Sequence, residues 1–133
     1  MIAFTVHGRP IPQGSMRAFR HRFSGAVVNI PDNRKTKPWK DQISSAARMC
    51  KPVVNNPPTG PISVTLVFFF RRPHGAPKAR IGHTVKPDLD KLIRAILDAL
   101  KGILYKDDAQ VIHVQASKHY ALPERVEIEV EEM

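Results

Sequence analysis

The chain has 133 residues, enough for one domain with a real core, and carries 21 Lys/Arg against 12 Asp/Glu for a formal charge of +9. Its lone cysteine, Cys50, excludes an intramolecular disulfide and a cysteine-built zinc site, and reads as a small buried apolar residue. No apolar run approaches the ~20 residues that span a bilayer, and the first residues show no leader pattern, so a cytoplasmic protein is expected. The charge is uneven. Residues 1–86 hold 15 Lys/Arg and 2 Asp/Glu, whereas residues 87–133 hold 6 and 10. A basic part of that size points to a polyanionic partner, most often nucleic acid.

Taken in order, Ile2 to His7 alternates as a strand, with Ile2, Phe4 and Val6 on one face. Gly8-Arg-Pro-Ile-Pro-Gln-Gly14 ends it as a turn-rich loop. Ser15 to Phe23 follows, with Arg17, Arg20 and Arg22 interleaved with aromatics, the composition of a phosphate-contacting loop or ribbon. Ala26 to Ile30 is a short second strand, hairpin-paired nearby and stopped by Pro31-Asp-Asn. Thr36 is expected to cap a helix with Pro38 in its first turn. Trp39, Ile43, Ala46, Ala47 and Cys50 form that helix's core stripe. A Pro/Asn/Gly-rich loop through Pro61 leads to Ile62–Phe70, whose β-branched and aromatic residues predict a central strand.

Arg71 to Arg80 reads as a mobile basic loop, ordered on a polyanion, with Arg71, Arg72, Lys78 and Arg80 as its cations. His74 and His83 are further candidates for phosphate contact. Pro87 to about Leu100 predicts a helix with Leu89, Leu92, Ile93, Ile96, Leu97 and Leu100 as its apolar stripe. Asp88 stands at its N-cap, Asp90 in its first turn, and Gly102 at its C-terminal stop. Val111 to Lys118 and Glu124 to Glu131 are strands, the second with Val126, Ile128 and Val130 facing inward and its glutamates facing solvent. The order β-β-α-β-α-β-β predicts a single α/β or α+β domain over residues 1–133, a small mixed sheet flanked by two helices.

Five of the 12 acidic residues fall between Asp88 and Asp108. Asp88 and Asp90 alone would be helix caps, and Asp107-Asp108 alone a turn. Whether the chain returns so as to bring Asp108 beside Asp88 and Asp90 depends on its path after Gly102, which spacing leaves open. Three converging carboxylates in a basic protein would repel one another unless a cation sat among them, and oxygen-only donors suit Mg²⁺ or Mn²⁺. Phosphodiester hydrolysis is the chemistry that such a site and its basic surround would serve. Arg94, one turn after Asp90, either holds that carboxylate or reaches a phosphate. Lys86 and Lys91 are further phosphate contacts. Asp98 reads as a surface partner of Arg94 or Lys101. The six histidines show no HxH or HExxH spacing.

Lys86-Pro-Asp88-Leu-Asp90-Lys-Leu, then Asp98-Ala-Leu, then Tyr105-Lys-Asp107-Asp108-Ala-Gln-Val111, resembles the RusA family of Holliday junction resolvases. Gly8-Arg-Pro-Ile-Pro and the Arg17 to Arg22 segment are similar to that family's N-terminal part. The resemblance implies a homodimeric Mg²⁺-dependent endonuclease that cuts four-way junction DNA by paired nicks, leaving 3′-hydroxyl and 5′-phosphate ends. It implies Asp88, Asp90 and Asp108 as metal ligands. It places Arg94 where the family has a helix lysine, and Lys91 where it commonly has asparagine. Such genes are frequent in prophages. The alternatives are a non-catalytic DNA-binding paralogue of the same fold, and a metal nuclease acting on RNA or flaps.

Overall fold

The computed structural model describes residues 1–14, 16–20, 25, 27–31, 34–51 and 56–133, with only the backbone described for 16–20 and 27–31. Arg22 and residues 26, 32, 33 and 52–55 of the expected strand and loops lie outside the described residues. Strand β1 is Ile2–His7, β2 Met16–Arg20, β3 Val27–Pro31, β4 Ile62–Phe70, β5 Val111–Tyr120 and β6 Arg125–Glu132; the helices are α1, Thr36–Cys50, and α2, Leu89–Leu100. The four-stranded sheet runs β1-β6-β4-β5, with β4 parallel to β5 and antiparallel to β6, and β1 antiparallel to β6. β2 and β3 form a separate antiparallel ribbon. The fold is α+β with a mixed sheet and two helices, as the sequence predicts.

Strand periodicity sends alternate side chains to opposite faces. On β4 this buries Ile62, Val64, Leu66, Phe68 and Phe70 completely. Val126, Ile128 and Val130 of β6 join them from the next strand. Trp39, Ile43 and Ala47 of α1 and Leu92, Ile96 and Leu100 of α2 close over the same face. The sheet's other face is open. There Thr5 stands opposite Glu127, Ala3 opposite Glu129 and Ser63 opposite Glu131. The parallel β4–β5 pair needs a long crossover, and residues 71–110 supply it, carrying α2 and the acidic motifs.

Several local expectations change. Thr36 is the first residue of α1 rather than its cap; it is buried, and its hydroxyl donates to Pro12 O at 2.9 Å, tying the N-terminal loop to the helix. Cys50 is exposed because it ends α1, past the last turn that touches the sheet. The basic loop after β4 is held by its own residues: the Arg72 guanidinium donates to Pro77 O at 2.6 Å and to Arg80 O at 2.5 Å, and lies over the Tyr120 ring. His83, taken as a phosphate contact, is instead buried between the rings of Phe70 and Tyr120, with centroids 4.6 and 4.8 Å away.

Candidate functional site

Asp88 precedes the first turn of α2 in extended conformation and makes no side-chain cap bond. Asp90 follows in that turn. Both are exposed, and among the described residues neither carboxylate is spent in a hydrogen bond or ion pair. The positive end of the helix dipole favours negative charge here, so the helix tolerates two carboxylates that it does not use as caps. Asp88 lines an open groove of about 1020 Å³ running between the Arg9–Gly14 loop, the start of α1 and the start of α2. Arg9, Arg34, Lys35, Lys86 and Lys91 line it, with Asp88 as its carboxylate. The loop wall is fixed by Gln13 N donating to Lys91 O at 2.9 Å and by the Thr36–Pro12 bond.

The segment that carries Asp88 is tied to the sheet by Lys118, a residue that the sequence reading passed over. Its ammonium donates to Val85 O at 2.7 Å and Pro87 O at 2.8 Å. Burial lowers its pKa, and the Asp88 carboxylate works in the opposite direction. The sequence did hold a signal: Val114, Ala116, Lys118 and Tyr120 share the core-side parity of β5, so Lys118 was the one full charge on a face meant for apolar groups.

The second acidic motif sits at the other end of α2. Gly102, at φ +80°, ends the helix in the left-handed conformation that glycine accommodates. The chain then turns tightly, with Gly102 N donating to Tyr105 O at 2.7 Å. Tyr105 is fully buried and its hydroxyl donates to Leu97 O at 2.6 Å, which pins the turn to the end of α2. Burial, then the Asp108 and Asp98 charges, push the Tyr105 pKa up. Asp107 caps the following single 3-10 turn, Asp108–Gln110, accepting from Ala109 N. The Gln110 side-chain carbonyl accepts from the Lys106 and Asp107 amides at 2.7 Å, and its amino group donates to Pro58 O and Gly60 O at 2.9 Å.

The motif therefore divides. Asp107 and Gln110 hold the turn, and the Asp108 carboxylate is left exposed with no hydrogen bond or ion pair among the described residues. Desolvation raises the Asp108 pKa, Lys101 opposes this, and Asp98 and Asp107 add to it. Asp98 pairs with Lys40 of α1 at 2.7 Å rather than with Arg94 or Lys101. Arg94 is exposed and makes no ion pair among the described residues.

One chain does not bring the three aspartates together. The twelve residues of α2 separate Asp88 from the turn that holds Asp108, a rise of about 18 Å. β5 gives an independent ruler: Lys118 marks the Asp88 end and Val111 the Asp108 end, about 23 Å apart at strand spacing. The charges that act on Asp108 are those of Asp98, Asp107 and Lys101. Among the described residues, no three His, Cys, Asp or Glu side chains come together to hold a metal.

Of the cations expected to meet phosphate, Lys86 and Lys91 line the groove. Arg17 and Arg20 lie on β2. Arg71, Lys78 and Arg80 lie on the loop after β4, where Arg72 is largely committed to folding that loop. Among the described residues, no helix is long and apolar enough to cross a membrane.

A small α+β domain with a cation-lined groove that holds the Asp88 carboxylate is a scaffold suited to a phosphodiester chain. A family model described as endodeoxyribonuclease RusA matches residues 8–131, and the chain belongs to that family. It is also similar to YqaN of Bacillus subtilis (strain 168), an uncharacterized protein, at 31% identity over 142 positions covering 99% of this chain and 96% of that protein.

Proposed function

We propose that the protein is a structure-selective endodeoxyribonuclease that resolves four-way DNA junctions by paired hydrolysis of phosphodiesters, with Asp88, Asp90 and Asp108 as ligands of Mg²⁺ or Mn²⁺. The observation that carries this reading is the division of labour in the acidic motifs. Asp107, Gln110 and Asp98 are spent on structure, while the carboxylates of Asp88, Asp90 and Asp108 make no hydrogen bond or ion pair among the described residues. Hard carboxylate oxygens at an exposed, basic-rimmed edge fit a hard divalent cation.

The protein acts as a homodimer in this reading, and the separation of the aspartates along α2 favours it. Two copies with their α2 helices antiparallel would set Asp108 of one beside Asp88 and Asp90 of the other. Leu89, Ile93 and Leu97 form a half-buried stripe along α2, and Val114 on the neighbouring edge strand is 39% exposed. These are apolar surfaces suited to such a contact. A junction offers two equivalent strands to two equivalent sites.

When bound, the cation supplies charge neutralisation at the phosphate and a water of lowered pKa. The chain's own contribution is binding and orientation. Arg9, Arg34, Lys35, Lys86 and Lys91 attract the backbone into the groove. Arg94, one turn beyond Asp90 and without an ion-pair partner among the described residues, donates to a phosphate oxygen and offsets charge developing there. Hydrolysis leaves a 5′-phosphate and a 3′-hydroxyl, by analogy with the family.

The test is a cleavage assay on a labelled synthetic four-way junction and a matched linear duplex, with Mg²⁺, Mn²⁺ or chelator. Symmetric, metal-dependent nicks confined to the junction are expected, and Asp88→Asn should abolish them while sparing binding. Tight junction binding without nicks under any metal would move the protein to a non-catalytic DNA-binding role, with Arg94 and Lys91 the departures to revert.

A further inference from the structure

We propose that Lys118 is a positioning residue for the site: it clamps the Val85–Asp88 strap to the sheet and thereby fixes where the Asp88 carboxylate stands. The proposal rests on the reading of Asp88 as a metal ligand and extends it to a residue on a different strand.

Lys118 stands in an improbable place. β5 turns Ala116, Lys118 and Tyr120 toward the side where β4 buries Leu66, Phe68 and Phe70. A lysine beside Phe68 loses hydration, a cost that an apolar residue of similar length would not carry. Packing alone therefore does not explain it.

What the ammonium does there is specific. It reaches two carbonyls on one short segment, Val85 O and Pro87 O, which flank Lys86 and immediately precede Asp88. A compact ammonium with three donors can serve two converging carbonyls and still direct the third toward a nearby carboxylate, whereas a planar guanidinium presents a fixed fork. Asp88 is the charged group that acts on Lys118.

His83, packed between Phe70 and Tyr120, anchors the chain just before the strap, and Gln13 N holds Lys91 O just after it, but the strap itself has few other hydrogen bonds. Thr84 N bonds to Gly82 O within the loop, and Leu92 N to Asp88 O begins the helix. Between those two bonds, the Lys118 clamp is what links the segment to the sheet among the described residues. Residues that orient a ligand from behind it commonly govern metal affinity without touching the metal.

The experiment compares Lys118→Met, which keeps length and removes all donors, with Lys118→Gln, which keeps a shorter polar group. Three readouts are taken. The first is hydrogen exchange of the 84–91 segment in protein free of DNA and metal. The others are Mn²⁺ affinity by titration, and the Mn²⁺ dependence of junction nicking.

In Lys118→Met, exchange should rise in 84–91 while β4 and β6 keep their protection. Mn²⁺ affinity should fall by about tenfold or more, and added Mn²⁺ should recover much of the rate. Junction binding in Ca²⁺ should stay within about twofold, because phosphate contacts made elsewhere supply that affinity. Lys118→Gln should show the same changes at smaller size.

Wild-type exchange in 84–91 together with wild-type Mn²⁺ affinity in either variant overturns the proposal. If Lys118→Met fails to fold, Lys118→Gln decides by the same two readouts. A wild-type protein that neither binds Mn²⁺ nor nicks a junction would instead sink the reading of the site itself. The exchange result would still report whether the clamp exists.

Discussion

Asp88 and Asp108 stand at opposite ends of α2, the first before its opening turn and the second beyond the Gly102 turn that closes it. Each is an exposed carboxylate without a structural bond among the described residues. A site that needs both must draw them from two chains. Asp88→Asn and Asp108→Asn should each be inactive alone. When the two variants are mixed and allowed to exchange subunits, about half the dimers are mixed, and each has one site with every aspartate intact. Nicking should return in the mixture, as single rather than paired cuts. A mixture as dead as its components would place all three ligands in one chain.

Gln110 should matter to stability and Asp108 to chemistry. Gln110→Ala removes four hydrogen bonds that tie the turn to itself and to the loop before β4. Because the turn is partly solvated, the expected loss is about 1–3 kcal/mol, read by urea denaturation. Asp107→Ala loses a cap, at about 1 kcal/mol, and should keep most of its nicking activity. Asp108→Ala should lose activity with little change in the unfolding midpoint.

Arg94 separates the two in the same way. Its side chain makes no ion pair among the described residues, so Arg94→Ala should change stability by no more than about 0.5 kcal/mol. Nicking should fall by about tenfold or more if the guanidinium meets charge developing on phosphate. Arg94→Lys, which keeps the charge on a compact head, should retain a substantial part of the rate. Equal rates for all three would remove Arg94 from the site.

His83 predicts a dependence on pH. Burial between Phe70 and Tyr120 lowers its pKa below 6.5, and the nearby Lys118 and Arg9 charges lower it further, against backbone hydrogen bonds that raise it. The folded protein therefore binds fewer protons at this residue than the unfolded chain. Its contribution to stability is fully present above pH 6.5 and is lost as pH falls from there through the lowered folded pKa. Thermal melts between pH 8 and pH 5 should show that decline, and His83→Gln should flatten it. An unchanged slope in the variant would assign the decline to other groups.

Lys35 and Lys86 both line the groove, one before α1 and one before α2. If both meet phosphate, replacing either by alanine should weaken junction binding and reduce the salt slope of log K by about 1. A variant that keeps the full slope would mark its residue as a bystander.

The sequence made the scaffold readable where one physical signal dominated. The alternation in Ile62–Phe70 and Glu124–Glu131 reports one buried face and one open face; the first strand falls where it is expected, and the second lies one residue later, at Arg125–Glu132. The 3.6-residue stripe of α2 ends at a glycine whose φ is positive. Local pattern could not reveal the return path after Gly102. That path is set by Tyr105 reaching back to Leu97 O and by Gln110 reaching Pro58 and Gly60, contacts across up to 52 positions. His83 eluded the sequence because a polar residue in a loop looks solvated until the rings that enclose it are known, and Thr36 because a hydroxyl at a helix start looks like a cap until the carbonyl it reaches is known. Asp88, Asp90 and Asp108 were legible as candidates because they are carboxylates concentrated in a basic chain. Lys118 was hidden because its partners are backbone carbonyls, which every sequence contains.

The open face of the sheet bears Glu127, Glu129 and Glu131, while the groove cations lie on the helix side. On that open face Arg125 offsets part of the negative charge by pairing with Glu127 at 3.1 Å. A duplex is drawn more strongly to the groove cations than to the glutamates. Diffusion itself then does part of the sorting: a nucleic acid is drawn first to the side on which the groove opens.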